Sequence, residues 1–144
     1  MRHTTFIQIL SSLLILLFVY TAVSKWIDHQ SFQNTISQSP LIGAYAGVVA
    51  WLLPIIELVI ASLLFFESTR KGGFYAAGTL LILFSGYIGY MLLFSSHLPC
   101  SCGGVIRYLS WSEHLVFNVL WILLSLLGIV LSESENGKGS LIKN

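Results

Sequence analysis

Long apolar runs alternate with short polar stretches along this chain. Four runs stand out, at Phe6 to Ser24, Gly47 to Phe66, Phe74 to Phe94 and His114 to Leu131. Each is close to the length of about 20 residues that crosses a bilayer as an α-helix. The strand-like alternation of a membrane barrel is absent from the runs. Because backbone groups in lipid must be hydrogen-bonded within the protein, the pattern predicts an all-α integral membrane protein, a four-helix bundle.

The composition agrees with this class. Hydrophobic residues make up 56% of the 144 residues and charged residues only 9%, a balance that soluble domains of this length do not have. The formal net charge of +1 is too small for the attraction to phosphate on which nucleic-acid binding depends. The lipid bilayer is therefore the predicted partner, no nucleic acid is expected, and residues 1–131 form one transmembrane domain.

The basic residues that flank the runs predict the orientation. One side of the membrane carries Arg2, Arg70, Lys71, Lys138 and Lys143, and the other carries only Lys25 and Arg107. Because basic residues favour the cytoplasmic side, both termini are predicted to be cytoplasmic, with residues 132–144 as a disordered tail. The first run is expected to be kept as an anchor, since its flank is a poor cleavage site for a signal peptide.

The loop "SSHLPCSCGGV", residues 95–105, holds the chain's two cysteines, Cys100 and Cys102. In the predicted topology it faces outward from a bacterial inner membrane into the periplasm, where disulfides persist. Residues i and i+2 in a turn can meet the disulfide requirement of about 4.4–6.8 Å between α-carbons, and Gly103 and Gly104 provide the turn. So small a ring is strained, and strained, exposed disulfides are oxidising and labile. The pattern favours a catalytic redox pair.

Two other interpretations of the cysteines stay open. With His97, and His114 as a distant fourth, they form a ligand set whose soft thiolates suit Cu(I), although the spacing is poor for tetrahedral zinc. No metal site is assigned, but a copper-binding or transport subunit is an alternative function. The cysteines can also be inert small apolar residues. A non-enzymatic membrane scaffold that holds a redox complex is a further alternative.

Glu57 lies near the middle of the second run, three residues after Pro54. A charged, unpaired carboxylate at this depth is costly, so Glu57 is expected to be protonated, hydrogen-bonded inward, or both. Tyr20, Tyr87, Tyr90 and Asn118 fall between that depth and the cysteine loop. Together these groups predict a polar pocket for protons or a quinone headgroup, with ordinary interhelical hydrogen bonds as the alternative.

Lys25 follows the first run and is expected to extend its ammonium group to the outer surface, where Asp28 is close enough to pair with it. Reaching Glu57 would require a descent of about 10 Å or more at a rise of 1.5 Å per residue. No Lys25–Glu57 ion pair is therefore expected. The connection "KWIDHQSFQNTISQSPLI" that follows fits a short amphipathic helix on the membrane surface and an ordinary loop equally well.

Several short motifs together resemble the MauE branch of the DoxX-like membrane proteins. They are "YTAVSKWIDHQSF" after the first run, "PIIEL" in the second, "RK" before the third, and "CSCGG" followed by "LSW" and a helix with Asn118. The similarity extends from Phe6 to Leu131, although Gly103 stands where members commonly have phenylalanine. The resemblance implies a four-helix inner-membrane protein of periplasmic thiol-disulfide chemistry. The type member supports maturation of a disulfide-rich methylamine dehydrogenase subunit.

The resemblance also implies site residues. Cys100 and Cys102 match the cysteine pair of the family, and Lys25 and Glu57 match its recurrent polar positions. A single outer pair does not suit a thiol relay across the membrane. Two mechanisms stay open. In one, the pair exchanges disulfides directly with a periplasmic thiol-disulfide protein or a disulfide-rich substrate. In the other, electrons pass from the pair to a membrane quinone through the region of Tyr20, Tyr87 and Glu57.

Overall fold

The computed structural model describes the backbone of residues 2–94 and 111–141, and the side chains of residues 4–94 and 112–134. Within these ranges the chain is helical and contains no strand. The helices are α1 (Arg2–Ile27), α2 (His29–Ser37), α3 (Ala46–Phe65), α4 (Arg70–Phe94) and α5 (Trp111–Leu141), with a 3₁₀ turn at Gly43–Tyr45. The predicted all-α class is confirmed.

Four of the helices contain a stretch that is long and apolar enough to cross a membrane. These stretches are Thr4–Ile27, Gly43–Phe65, Arg70–Phe94 and Ser112–Ser134. Large apolar side chains remain exposed on their outward faces, among them Leu16, Phe65, Leu83 and Val116. Since such a surface is stable only against lipid, the chain is a multi-pass membrane protein in contact with the bilayer.

The ends of the helices differ from the predicted ends of the apolar runs. α1 continues to Ile27, and α4 begins at Arg70. α5 continues past Leu131 and is helical as far as Leu141. The assignment of residues 132–144 as a separate cytoplasmic tail stays a prediction, as does the orientation of the bundle in the membrane.

The four long helices pack in a closed ring. The most extensive contacts join α1 to α3 and α4 to α5, and the ring is completed by contacts of α3 with α4 and of α1 with α5. Because successive spans run in opposite directions, the two ends of the bundle differ. The α3–α4 turn lies at the same end as the start of α1, here called the N-terminal end. The helix α2, the end of α4 and the beginning of α5 lie at the opposite end, here called the α2 end.

The N-terminal end of the bundle has a dense apolar core. Leu14 of α1, Leu64 of α3 and Phe74 of α4 are fully buried there, in one cluster with Ile129 of α5. Ser125 donates a hydrogen bond of 2.7 Å to the carbonyl oxygen of Phe74, which ties α5 to α4 without leaving a polar atom in lipid. This half of the bundle is a packed support for the other half.

The turn between α3 and α4 is closed by side chains that bind the last carbonyl groups of α3. Thr69 donates its hydroxyl hydrogen to the oxygen of Leu63 at 2.9 Å. Arg70 donates from Nε to the oxygen of Leu64 at 3.2 Å. Carbonyl groups at a helix C-terminus have no partner within the helix, and a cation there is favoured by the helix dipole. The polar sequence "ESTRK" therefore both ends α3 and begins α4.

The helix α2 settles the open interpretation of the first connection in favour of a helix. Phe32 and Ile36 are buried on one of its faces, four residues apart, as an amphipathic helix requires. They pack in a cluster with Ala46 and Ala50 at the beginning of α3. The apolar face of α2 thus lies against the beginning of α3.

A substitution at Gly128 of α5 would test how closely α5 packs on α4. A Cβ atom added at residue 128 would overlap the ring of Phe74, which is fully buried and has no room to move. We expect Gly128→Ala to lower the free energy of unfolding by about 1–3 kcal/mol through overpacking. Gly86→Ala is the matched control, because no described atom lies within 4 Å of its added Cβ. Equal melting temperatures of the two variants in detergent would contradict this contact.

Candidate functional site

A cavity of about 420 Å³ lies in the half of the bundle nearer the α2 end. All four long helices and α2 contribute to its wall, and most of the lining is apolar. The polar lining includes Thr21, Lys25, Glu57, His114 and Asn118. The bundle is thus filled with apolar side chains at one end and encloses a space with a few polar groups at the other. Such a combination is typical of sites for small molecules.

An ion pair between Lys25 and Glu57 is the principal polar feature of this cavity. The Nζ atom of Lys25 lies 2.8 Å from Oε1 of Glu57, and the side chains are 13% and 2% exposed. Nζ also donates to the carbonyl oxygen of Thr21 at 3.4 Å and lies 5.7 Å from the centre of the Phe32 ring. The charges of the pair cancel, so the cavity favours neither an anion nor a cation.

The expectation that Lys25 extends outward and does not reach Glu57 is wrong. That expectation treated the end of α1 as the membrane surface. Glu57 lies eleven residues after Ala46, the first residue of α3, so α3 extends about 16 Å beyond Glu57 at 1.5 Å per residue. The end of α1 is therefore beside the middle of α3, and α2 packs against the first turns of α3. Lys25 is at the depth of Glu57 and inside the protein.

Two polar atoms at the cavity have no hydrogen-bond partner among the described residues. They are Oε2 of Glu57 and Nδ2 of Asn118, both inaccessible to solvent. Glu57 and Asn118 are 2% and 4% exposed, respectively. Oε2 of a paired carboxylate accepts hydrogen bonds, and Nδ2 of an amide donates them. A buried polar atom without a partner is costly, so a polar group of a bound molecule would be stabilised at either of these two atoms.

The tyrosines predicted at this site differ in position. Tyr87 of α4 lines the cavity, as do Glu57 and Asn118, so three of the predicted pocket residues are brought together. Tyr20 is 40% exposed and is not part of the cavity lining. Its neighbour Thr21 lines the cavity instead, because consecutive residues of a helix point about 100° apart. The role predicted for Tyr20 at a quinone site stays a prediction.

His114 is a further lining residue that was not among the predicted pocket residues. It lies in the first turn of α5, half-buried, at the wall of the cavity. His29 has a different environment, with its ring 4.6 Å from that of Trp51 between centroids. The sequence contained a signal for the position of His114. This histidine follows the connection 95–110 by only about one helical turn, so it must lie near the same end of the bundle as the cavity.

The predicted catalytic residues Cys100 and Cys102 lie outside the described residues, and His97 does as well. The structure therefore describes only the helices that precede and follow them. Within the described side chains, no cluster of three or more histidine, cysteine, aspartate or glutamate residues is able to hold a metal ion. The redox and copper interpretations of the cysteine loop both stay predictions.

One known protein family matches most of this chain. The family described as Methylamine utilisation protein MauE matches residues 3–131, a range that contains the first three spans, most of the fourth, the Lys25–Glu57 pair and the cysteine loop. The chain belongs to the MauE family. This confirms the MauE resemblance of the sequence motifs, whereas the wider DoxX-like grouping stays a prediction. The chain is a membrane protein associated with methylamine utilisation. No curated protein and no solved structure gives a match.

Proposed function

We propose that this MauE-family protein carries out thiol-disulfide exchange outside the cytoplasm, through a disulfide between Cys100 and Cys102, during maturation of a disulfide-containing partner. The observation that carries the proposal is the spacing of the cysteines in "PCSCGG". A ring of this size is strained, and a strained disulfide is a better oxidant than a structural brace. As a brace it would constrain almost no chain.

The position of the cysteines along the chain supports the proposal. They belong to the connection 95–110, between α4, which ends at Phe94, and α5, which begins at Trp111. Tyr87 lies about two turns before the end of α4, and His114 lies about one turn into α5. Both line the cavity with the Lys25–Glu57 pair. The connection that holds the cysteines is therefore anchored at both ends by helices that form the cavity.

The proposed exchange balances without another reactant. A thiolate of the partner attacks one sulfur of the Cys100–Cys102 disulfide and forms a mixed disulfide. A second thiolate of the partner then attacks the partner's sulfur in that bond. The partner gains a disulfide, and Cys100 and Cys102 are left as two thiols. The protein is reduced by two electrons, and the partner is oxidised by two.

The family gives the proposal a biological setting. Its name refers to methylamine utilisation, and the sequence resemblance implies a disulfide-rich partner in that process. We place the protein in the inner membrane with the cysteine connection in the periplasm. The basic residues around the spans favour that orientation, and the periplasm allows disulfides to persist.

Labelling of intact cells with a bulky maleimide that cannot cross the inner membrane tests this proposal. We expect Cys100 and Cys102 to be labelled only after a reductant has been added, because they form an outward-facing disulfide. The control is Ser68→Cys in a chain without the native cysteines. Ser68 is exposed in the turn at the N-terminal end, and its cysteine variant should be labelled only in permeabilised cells.

Two results of this labelling would contradict the proposal. Labelling without reductant would mean reduced or metal-bound thiols, as in a copper-binding subunit. Labelling of the native cysteines only after the membrane is dissolved, together with labelling of the Ser68→Cys variant in intact cells, would reverse the orientation.

A further inference from the structure

The size and lining of the cavity indicate which kind of molecule it can bind. Its volume of about 420 Å³ lies in the range of roughly 300–1,000 Å³ that is typical of small-molecule sites. The wall is mainly apolar, and two of its polar residues, Glu57 and Asn118, each have a buried polar atom without a described partner. The occupant is therefore an apolar molecule with a small polar group.

The charges at the cavity exclude ionic occupants. Lys25 is already bound to Glu57 at 2.8 Å, so an anion would compete with a carboxylate for the same ammonium. A cation would likewise compete with Lys25 for the carboxylate. Because an uncompensated charge in a low-dielectric site is expensive, the occupant that fits is neutral.

The two polar atoms without a described partner indicate which hydrogen bonds a bound molecule would make. Oε2 of Glu57 needs a donor, and Nδ2 of Asn118 needs an acceptor. A hydroxyl group supplies both functions, and a carbonyl oxygen supplies the acceptor for Asn118. The pair of atoms thus matches a molecule that interconverts between a carbonyl and a hydroxyl form.

The cavity also reaches the lipid-facing surface of the bundle. Leu83 of α4 is a lining residue and is 65% exposed within a membrane-crossing stretch. A molecule dissolved in the bilayer can therefore approach past Leu83. The space is too small for a whole membrane lipid, so a ring would be enclosed and any long apolar tail would stay in the bilayer.

We propose that this cavity binds the ring of a lipid-soluble quinone, with Asn118 donating to a ring oxygen and Glu57 accepting from the hydroxyl of the quinol. This rests on the proposed function for its redox role. The dithiol of Cys100 and Cys102 loses two electrons and two protons as its S–S bond forms, and the quinone gains both to become a quinol. The quinone is then the oxidant that restores the disulfide after each exchange.

Binding of decylubiquinone and its quinol to the purified full-length protein tests this inference without relying on the cysteines. We expect the wild-type protein to bind one molecule per chain. Asn118→Leu should weaken binding by about tenfold, the effect of one hydrogen bond of the usual strength. This variant should fold, because it removes an amide nitrogen that has no described partner.

The matched control is Trp121→Phe, one turn further along α5. It also removes a buried nitrogen without a described partner, but Trp121 is not a cavity-lining residue. Its affinity for the quinone should equal that of the wild-type protein. A second variant, Leu83→Trp, blocks the lipid-facing opening at an exposed position and should also weaken binding.

The outcomes separate this inference from the proposed function. Absence of binding, or equal affinity of Asn118→Leu, Leu83→Trp and Trp121→Phe, would overturn the quinone site even if the cysteines transfer disulfides. Equal binding by the wild-type protein and the Cys100→Ser/Cys102→Ser variant is the expected result, because the hydrogen bonds proposed for the quinone come from Asn118 and Glu57. If the site binds quinone while the cysteine pair proves inert, only the proposed exchange fails.

Discussion

Lys25→Met is expected to lower the free energy of unfolding by about 3–5 kcal/mol, the usual cost of removing one partner from a buried ion pair. The carboxylate of Glu57 is 2% exposed and would lose its charged partner, the ammonium 2.8 Å away. Neither lipid nor the apolar cavity wall supplies a replacement charge. Glu57→Leu should cost less, since Lys25 is 13% exposed and its long side chain can turn outward.

The double variant Lys25→Met/Glu57→Leu distinguishes an ion pair from two independent packing contacts. Replacing both members of a buried pair by apolar groups is often neutral or stabilising, so the double variant should unfold at a temperature near that of the wild-type protein. Unfolding would be followed in mild detergent. If the losses of the two single variants simply add, the two side chains are not coupled.

The pair Lys71 and Glu133 is the control for this experiment. Their charged atoms lie 3.2 Å apart, but the side chains are 42% and 53% exposed. Exposed pairs contribute little, because solvent screens them. Lys71→Met should therefore leave the unfolding temperature almost unchanged. A large loss for this variant as well would mean that the effect at Lys25 does not come from burial.

Replacing either Cys100 or Cys102 by serine is expected to abolish disulfide transfer completely. Both sulfurs are needed to store a disulfide, and serine keeps the size of the side chain without being able to form an S–S bond. The assay follows oxidation of a reduced dithiol peptide by the purified, oxidised protein. Ser101→Ala is the matched control, because it changes the residue between the two cysteines and leaves both sulfurs in place.

Retained activity in these variants would contradict the proposed exchange. A chain with Cys100→Ser/Cys102→Ser that still supports maturation of its partner in cells would be a membrane scaffold. If Ser101→Ala loses as much activity as the cysteine variants, the conformation of the loop matters. The loss in the cysteine variants could then not be assigned to thiol chemistry.

The hydrophobic pattern was sufficient for the class and the number of spans, because the need to hydrogen-bond the backbone in lipid leaves few alternatives. It was less accurate at the ends. Hydropathy detects the part of a helix that lies in lipid, whereas α1 continues through the polar residues Ser24 and Lys25 to Ile27. Ending the helix early also placed Lys25 at the membrane surface.

The ion pair and the cavity depend on the relative depth of helices, which sequence spacing does not give. A rise per residue measures depth only along one helix. The offset of α3 from α1 is a matter of tertiary packing, to which the contact of Phe32 and Ile36 of α2 with α3 belongs. The sequence did contain a signal for the ion pair. Glu57 is an isolated acid within the second apolar run, and Lys25 is the basic residue that directly follows the first. An intramembrane acid usually has a partner.

The cysteine pair is the part of the site that was inferred from sequence alone, and the proposed function depends on its chemistry. The most direct measurement is the number of peptide disulfides formed when oxidised, purified protein meets excess reduced dithiol peptide without oxygen or quinone. We expect one peptide disulfide per protein chain, with two new thiols at Cys100 and Cys102. No peptide oxidation by a protein whose Cys100–Cys102 disulfide is intact would contradict the proposed exchange.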